Sequence, residues 1–89
     1  MSGQSLPIVT LYGRPGCHLC DQARELLAGL RAGGDGPRFE LREVDIDCDE
    51  RLLREMLELI PVVEVEGVRV STLLPDPGAV INRLDTVAI

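Results

Sequence analysis

An apolar, β-branched stretch, LPIVTLY at positions 6–12, gives way within four residues to the tetrad Cys17-His18-Leu19-Cys20. The hydrophobic pattern changes period at that point. Before it, the run has the composition of a buried strand. After it, Leu19, Cys20, Ala23, Leu26, Leu27 and Leu30 recur at three- and four-residue steps, the apolar face of a helix whose other face carries Asp21, Arg24, Glu25 and Arg31. Gly13-Arg14-Pro15-Gly16 between them reads as a short turn. The rest of the chain extends this unit. Gly33-Gly34-Asp35-Gly36-Pro37 stops the helix, and residues 38–45 form a second strand whose alternation falters at Arg42-Glu43-Val44, as at a bulge or slip. Asp47 or Asp49 caps a helix with an apolar stripe of Leu52, Leu53, Met56, Leu57 and Ile60. Residues 61–66 form a third strand, Glu66-Gly67 a tight turn and residues 68–71 a fourth strand. Asp76-Pro77 opens a last helix bearing Val80, Ile81, Leu84, Val87 and Ala88. The order is β-α-β-α-β-β-α. Strand–helix–strand units call for parallel strands with right-handed crossovers, and the Gly67 turn calls for an antiparallel pair. The expected fold is therefore α/β, a mixed four-stranded sheet flanked by helices.

With 89 residues the chain forms one small domain, expected to span residues 1–89. Its hydrophobic fraction is 45%, but aromatics are only 2%, so the core is built from Leu, Val and Ile. Nine Lys and Arg against fifteen Asp and Glu leave a formal net charge of −6. Such a surface repels phosphate backbones and anionic lipid, so neither nucleic acid nor a membrane is an expected partner. Apolar runs such as residues 59–63 fall far short of the roughly 20 residues of a membrane span. Residues 1–5 are small and polar, unlike a secretory leader, and a cytoplasmic monomer is the expectation. The three cysteines agree: an odd, small count suits a reducing compartment, where a close pair is reactive or metal-binding more often than structural.

Cys17 falls at the helix start and Cys20 one turn inside. Backbone N–H groups at a helix N-terminus lack internal partners and carry partial positive charge, so a thiolate at Cys17 is stabilised and its pKa lowered. Positions i and i+3 share a side of the helix, within reach of a sulfur–sulfur bond. The ring so closed is small, gains little loop-closure entropy and can open and close reversibly. Cys17 is thus the expected attacking thiolate and Cys20 the resolving one. Pro15 and Gly16 shape the approach to them, and Arg14 adds positive charge nearby. His18 either steadies the thiolate or faces solvent in the first turn. Cys48 reads as a free thiol in the acidic stretch 45–50, which lacks the glycine and terminal glutamate spacing of a calcium loop. Only His18 and Cys48 could supplement the pair as metal ligands, so no metal site is assigned.

The runs 11–20 (LYGRPGCHLC), 43–47 (EVDID) and 60–63 (IPVV) together resemble the glutaredoxin-like proteins of the thioredoxin superfamily, in particular a small group with a CHLC motif. The resemblance covers residues 8–84. It implies a thioredoxin/glutaredoxin fold, with Cys17 and Cys20 as the redox pair. It also implies a cis Ile60–Pro61 bond, with Pro61 facing the cysteines and Ile60 offering its backbone to glutathione or a substrate. Many glutaredoxins carry Cys-Pro-Tyr-Cys and a Gly-Gly pair after the fourth strand; here His18-Leu19 and Ser71-Thr72 take those places.

The expected function is that of a glutaredoxin-like thiol–disulfide oxidoreductase acting on protein or low-molecular-weight disulfides, with no bound cofactor. Arg14, Pro15, Gly16, His18, Ile60 and Pro61 would meet the substrate or glutathione. Glutathione or a thioredoxin-reductase-like enzyme would return the pair to the dithiol. Two alternatives stand beside it: a non-catalytic binding or regulatory module on the same scaffold, and a metal or iron–sulfur carrier.

Overall fold

The computed structural model describes residues 6–33 and 37–87. Its elements are β1 (Ile8–Gly13), α1 (His18–Ala32), β2 (Glu40–Asp45), a single 3-10 turn (Ile46–Cys48), α2 (Glu50–Met56), β3 (Val62–Val65), β4 (Val68–Thr72) and α3 (Pro77–Val87). The polar start at 1–5, the loop residues Gly34, Asp35 and Gly36, and the place of Ala88 in the last helix lie outside the described residues. No helix among the described residues is long and apolar enough to cross a membrane.

The four strands form one sheet in the order β2-β1-β3-β4. β1 and β2 are parallel, joined through α1, and β3 and β4 form the antiparallel hairpin expected at Gly67. Glu66 and Gly67 both have positive φ, 50° and 81°, as a two-residue type I′ turn requires. The second strand–helix–strand unit departs from the parallel expectation: β3 runs antiparallel to β1. The reason lies in the connection. α2 is only seven residues long and does not retrace the length of the sheet. Tyr12 pairs with Val44 on one side and Val62 on the other, so β2 ends and β3 begins at the same end of the sheet as β1 finishes.

α1 and α3 cover one face. Val9, Leu11, Val63 and Val65 of the sheet pack there against Ala23 and Leu27 of α1, Val80 and Leu84 of α3, and Phe39. A second cluster, Cys20, Ile46, Met56, Ile60 and Val62, closes the end of the sheet where the three strand ends meet. Asp49 caps α2 by accepting from the Arg51 and Leu52 amides, and Asp76 caps α3 by accepting from the Ala79 amide.

Two local expectations need correction. β1 and β2 pair without interruption from Ile8↔Glu40 to Gly13↔Asp45, so there is no bulge at Arg42-Glu43-Val44; the irregularity falls between Val63 and Glu64, in the β3–β4 pairing. β2 is an edge strand with four of its six residues polar, and its weak alternation reflects exposure rather than a slip. The stripe through Leu57 and Ile60 does not continue a helix. α2 ends at Met56, whose carbonyl accepts from both the Leu59 and Ile60 amides, and the chain turns there. The residue before proline resists the helical region, so a helix could not in any case run through Ile60 into Pro61. Leu57 is left 46% exposed.

Candidate active site

The site grows from the end of β1. Cys17 donates its amide to the Arg14 carbonyl at 3.3 Å, closing a four-residue turn with Pro15 second and Gly16 third. Gly16 has φ 81°, the left-handed value that the third position of a type II turn demands. A Cβ at Gly16 would meet nothing within 4 Å, so the glycine serves the backbone and leaves the space in front of it open.

The turn delivers Cys17 to the N-cap of α1 in extended conformation. Its Sγ accepts from the Cys20 amide at 3.1 Å, the place a serine or aspartate oxygen takes in an ordinary cap. Its carbonyl accepts the first helical hydrogen bond, from Asp21 at 3.1 Å. Cys17 and Cys20 form a disulfide with Cα atoms 5.2 Å apart. The two sulfurs occupy unlike surroundings. Cys20 is fully buried against Ile46, Met56, Ile60 and Val62, whereas Cys17 is half-buried and lines an open groove with Arg14, Pro15, Gly16, Leu57 and Ile60.

Gly13 lies close against Cys20. A Cβ there would sit 3.0 Å from Cys20 Sγ and 3.1 Å from Cys20 Cβ. Since Cys20 is held on every side, Gly13→Ala should cost about 1–3 kcal/mol of stability by overpacking. A urea melt of the oxidised protein checks this, with an unchanged midpoint as the adverse result.

The other expected residues fall as follows. Ile60 borders the groove and Pro61 is buried behind it, with their peptide bond cis. The Ile60 amide is already committed to the Met56 carbonyl at 3.0 Å. His18 is exposed and outside the groove; its Nε2 lies 3.2 Å from Gln22 Nε2, one turn along α1. Ser71 and Thr72 pair with Val63 and Val62, and the next amide, Leu73, donates to the Leu59 carbonyl at 2.9 Å. Cys48 is a free, exposed thiol. Among the described residues no group of three His, Cys, Asp or Glu side chains converges as metal ligands do.

Two features carry no local sequence signal. Arg14 Nε lies 3.2 Å from Asp47 Oδ1, an ionic contact with no hydrogen bond in line. Asp47 was one of two candidate caps for α2; Asp49 takes that task, and Asp47 turns to Arg14 instead. The second is Tyr12, beside Val62, whose hydroxyl donates to Glu64 Oε1 at 3.2 Å. Burial first, and the Glu64 carboxylate second, hold this phenol above its ordinary 10.0, so it is a neutral donor at physiological pH.

Known proteins share this fold. Residues 8–84 match the family model described as Glutaredoxin-like domain (DUF836). Protein Ne2328 from Nitrosomonas europaea is 30% identical, with 90% of this chain and 94% of that one covered and a TM-score of 0.67. Protein XcR50 from X. campestris is 36% identical over 88% of this chain and 96% of its own, at a TM-score of 0.66. The glutaredoxin from Brucella melitensis is 26% identical, with 98% and 84% covered and a TM-score of 0.54. The fold is thus the thioredoxin/glutaredoxin fold, and the buried–exposed cysteine pair is consistent with thiol redox activity. By its own residues and by these likenesses, the chain belongs to the glutaredoxin-like (DUF836) family of the thioredoxin superfamily.

Proposed function

We propose that the protein is a thiol–disulfide oxidoreductase whose working group is the Cys17–Cys20 pair. One observation carries this reading: a half-exposed sulfur sits at a helix N-cap, accepts an amide hydrogen bond at 3.1 Å, and is bonded to a fully buried partner sulfur. In the reduced protein the Cys17 thiolate attacks a substrate disulfide, forming a mixed disulfide and releasing one thiolate. The Cys20 sulfur, as thiolate, then displaces the second substrate thiolate and closes the Cys17–Cys20 bond. The two released thiolates take up the two protons given up by the cysteines. Two thiols are oxidised and one disulfide is reduced. Cys20 meets no outside molecule at any step.

Arg14, Pro15, Gly16 and Ile60 would form the walls along which the substrate chain lies, with Pro61 backing Ile60 from beneath; His18 would act only at the rim. The substrates are protein or low-molecular-weight disulfides. The reductant is a small thiol such as glutathione, or a thioredoxin-reductase-like enzyme. A reducing cytoplasm and a monomeric state fit this role.

A redox titration tests the reading. The protein is equilibrated with dithiothreitol and with glutathione buffers, quenched by alkylation and weighed by mass spectrometry. A reversible two-electron transition between the disulfide and dithiol forms of Cys17 and Cys20, together with reduction of an added disulfide, is expected. A pair that stays locked in one state across both buffers would overturn it.

A further inference from the structure

We infer that Asp47 sets the substrate preference of the site by cancelling the charge of Arg14 at the mouth of the Cys17 groove. The inference rests on the reading of Cys17 as the attacking thiolate. Arg14 borders that groove, and the turn 14–17 holds its Cα within about 7 Å of that of Cys17. Left alone, a guanidinium there would draw anionic disulfides towards the sulfur. Instead Asp47 Oδ1 lies 3.2 Å from Arg14 Nε.

The second arginine of the neighbouring hollow, Arg24, offers no substitute cation. Arg24, which borders the hollow between β1, β2 and α1 together with Arg14, Glu43 and Asp45, is taken up by Glu43 and by Asp21 at 2.8 Å. Asp45 spends Oδ1 on the Asp47 amide at 2.9 Å, which fixes the 3-10 turn and so the position of Asp47. Arg14 and Arg24, the two cations that border these hollows, each meet a carboxylate, and the approach to Cys17 reads as neutral to acidic. Uncharged or cationic disulfides are therefore favoured over anionic ones, of which glutathione disulfide is an example. Asp47 acts through Arg14 and touches no reacting atom, so it is a specificity-determining residue, not a catalytic one.

The test uses two alkylating probes of similar size, neutral iodoacetamide and anionic iodoacetate. They are applied to reduced protein carrying Cys48→Ser, so that Cys17 is the accessible sulfur. The ratio of the two rates cancels the thiolate fraction and steric access and reads local charge alone. Asp47→Asn should raise the iodoacetate-to-iodoacetamide ratio about threefold at low salt, and Arg14→Met should lower it about as much. The double variant should return to the parent ratio. All differences should collapse near 1 M salt, where the screening length is about 3 Å. In turnover, Asp47→Asn should lower KM for glutathione disulfide and leave that for neutral hydroxyethyl disulfide within about twofold. A ratio unmoved by Asp47→Asn in a folded protein, or moved equally at all salt concentrations, would sink the inference. Failure of the redox reading looks different: Cys17 would alkylate no faster than free cysteine with the neutral probe, while the ratio still reported what Asp47 does.

Discussion

Replacing Cys17 with serine should drop disulfide reduction to background, a loss of about three orders of magnitude or more, because among the described residues no other accessible sulfur caps a helix. Cys48 is exposed but lies in the 3-10 turn after β2, away from the α1 cap. Cys20→Ser should behave differently. The first attack survives, so the variant should accumulate a covalent adduct with its substrate, visible as an added mass on intact protein, while multiple turnovers cease. The contrast follows from burial. Cys17 is reachable, and Cys20 is enclosed by Ile46, Met56, Ile60 and Val62. Equal activity of Cys17→Ser and the parent in an insulin or mixed-disulfide reduction assay would reverse the assignment of roles.

Phe39→Ala should cost about 3–5 kcal/mol, which is a large share of the roughly 5–15 kcal/mol that holds a domain together. Phe39 is the chain's single phenylalanine, 2% exposed, and lies just before β2 against the cluster that includes Val9, Leu27 and Leu84. Aromatic side chains bury more surface than any aliphatic one, and this core has no other to compensate on that face. A urea melt at 25 °C should show a much lower midpoint. A drop in stability below about 1 kcal/mol would mean that the site collapses without a cavity.

The start of the fold is legible in sequence because independent signals coincide between positions 6 and 20: a β-branched run, a Pro-Gly turn, and a change to helical period at the cysteines. Each reflects local chemistry, and the structure keeps all of them. The Asp76-Pro77 cap and the turn at Gly67 are legible for the same reason. The direction of β3 is not, since a strand–helix–strand order suits a long crossover that α2 is too short to make. Leu57 misleads because its spacing fits the α2 stripe and its amide still donates to the Leu53 carbonyl, yet its side chain stays exposed beside the Cys17 groove. Arg14 is legible as a charge near the cysteines, but its value at the site depends on Asp47, and no local pattern links two residues that meet only when β1 and β2 lie side by side. Periodicity places the sheet's irregularity in exposed β2 instead of between Val63 and Glu64, because polar residues at an edge imitate a broken alternation.

The unequal burial of the two sulfurs has a kinetic corollary. With a single doorway, an electron donor and an electron acceptor cannot be seated together, and each must leave before the other arrives. The protein would then work by double displacement, storing one electron pair between visits. Its oxidant and its reductant would compete for the same doorway, and an excess of either would slow the cycle.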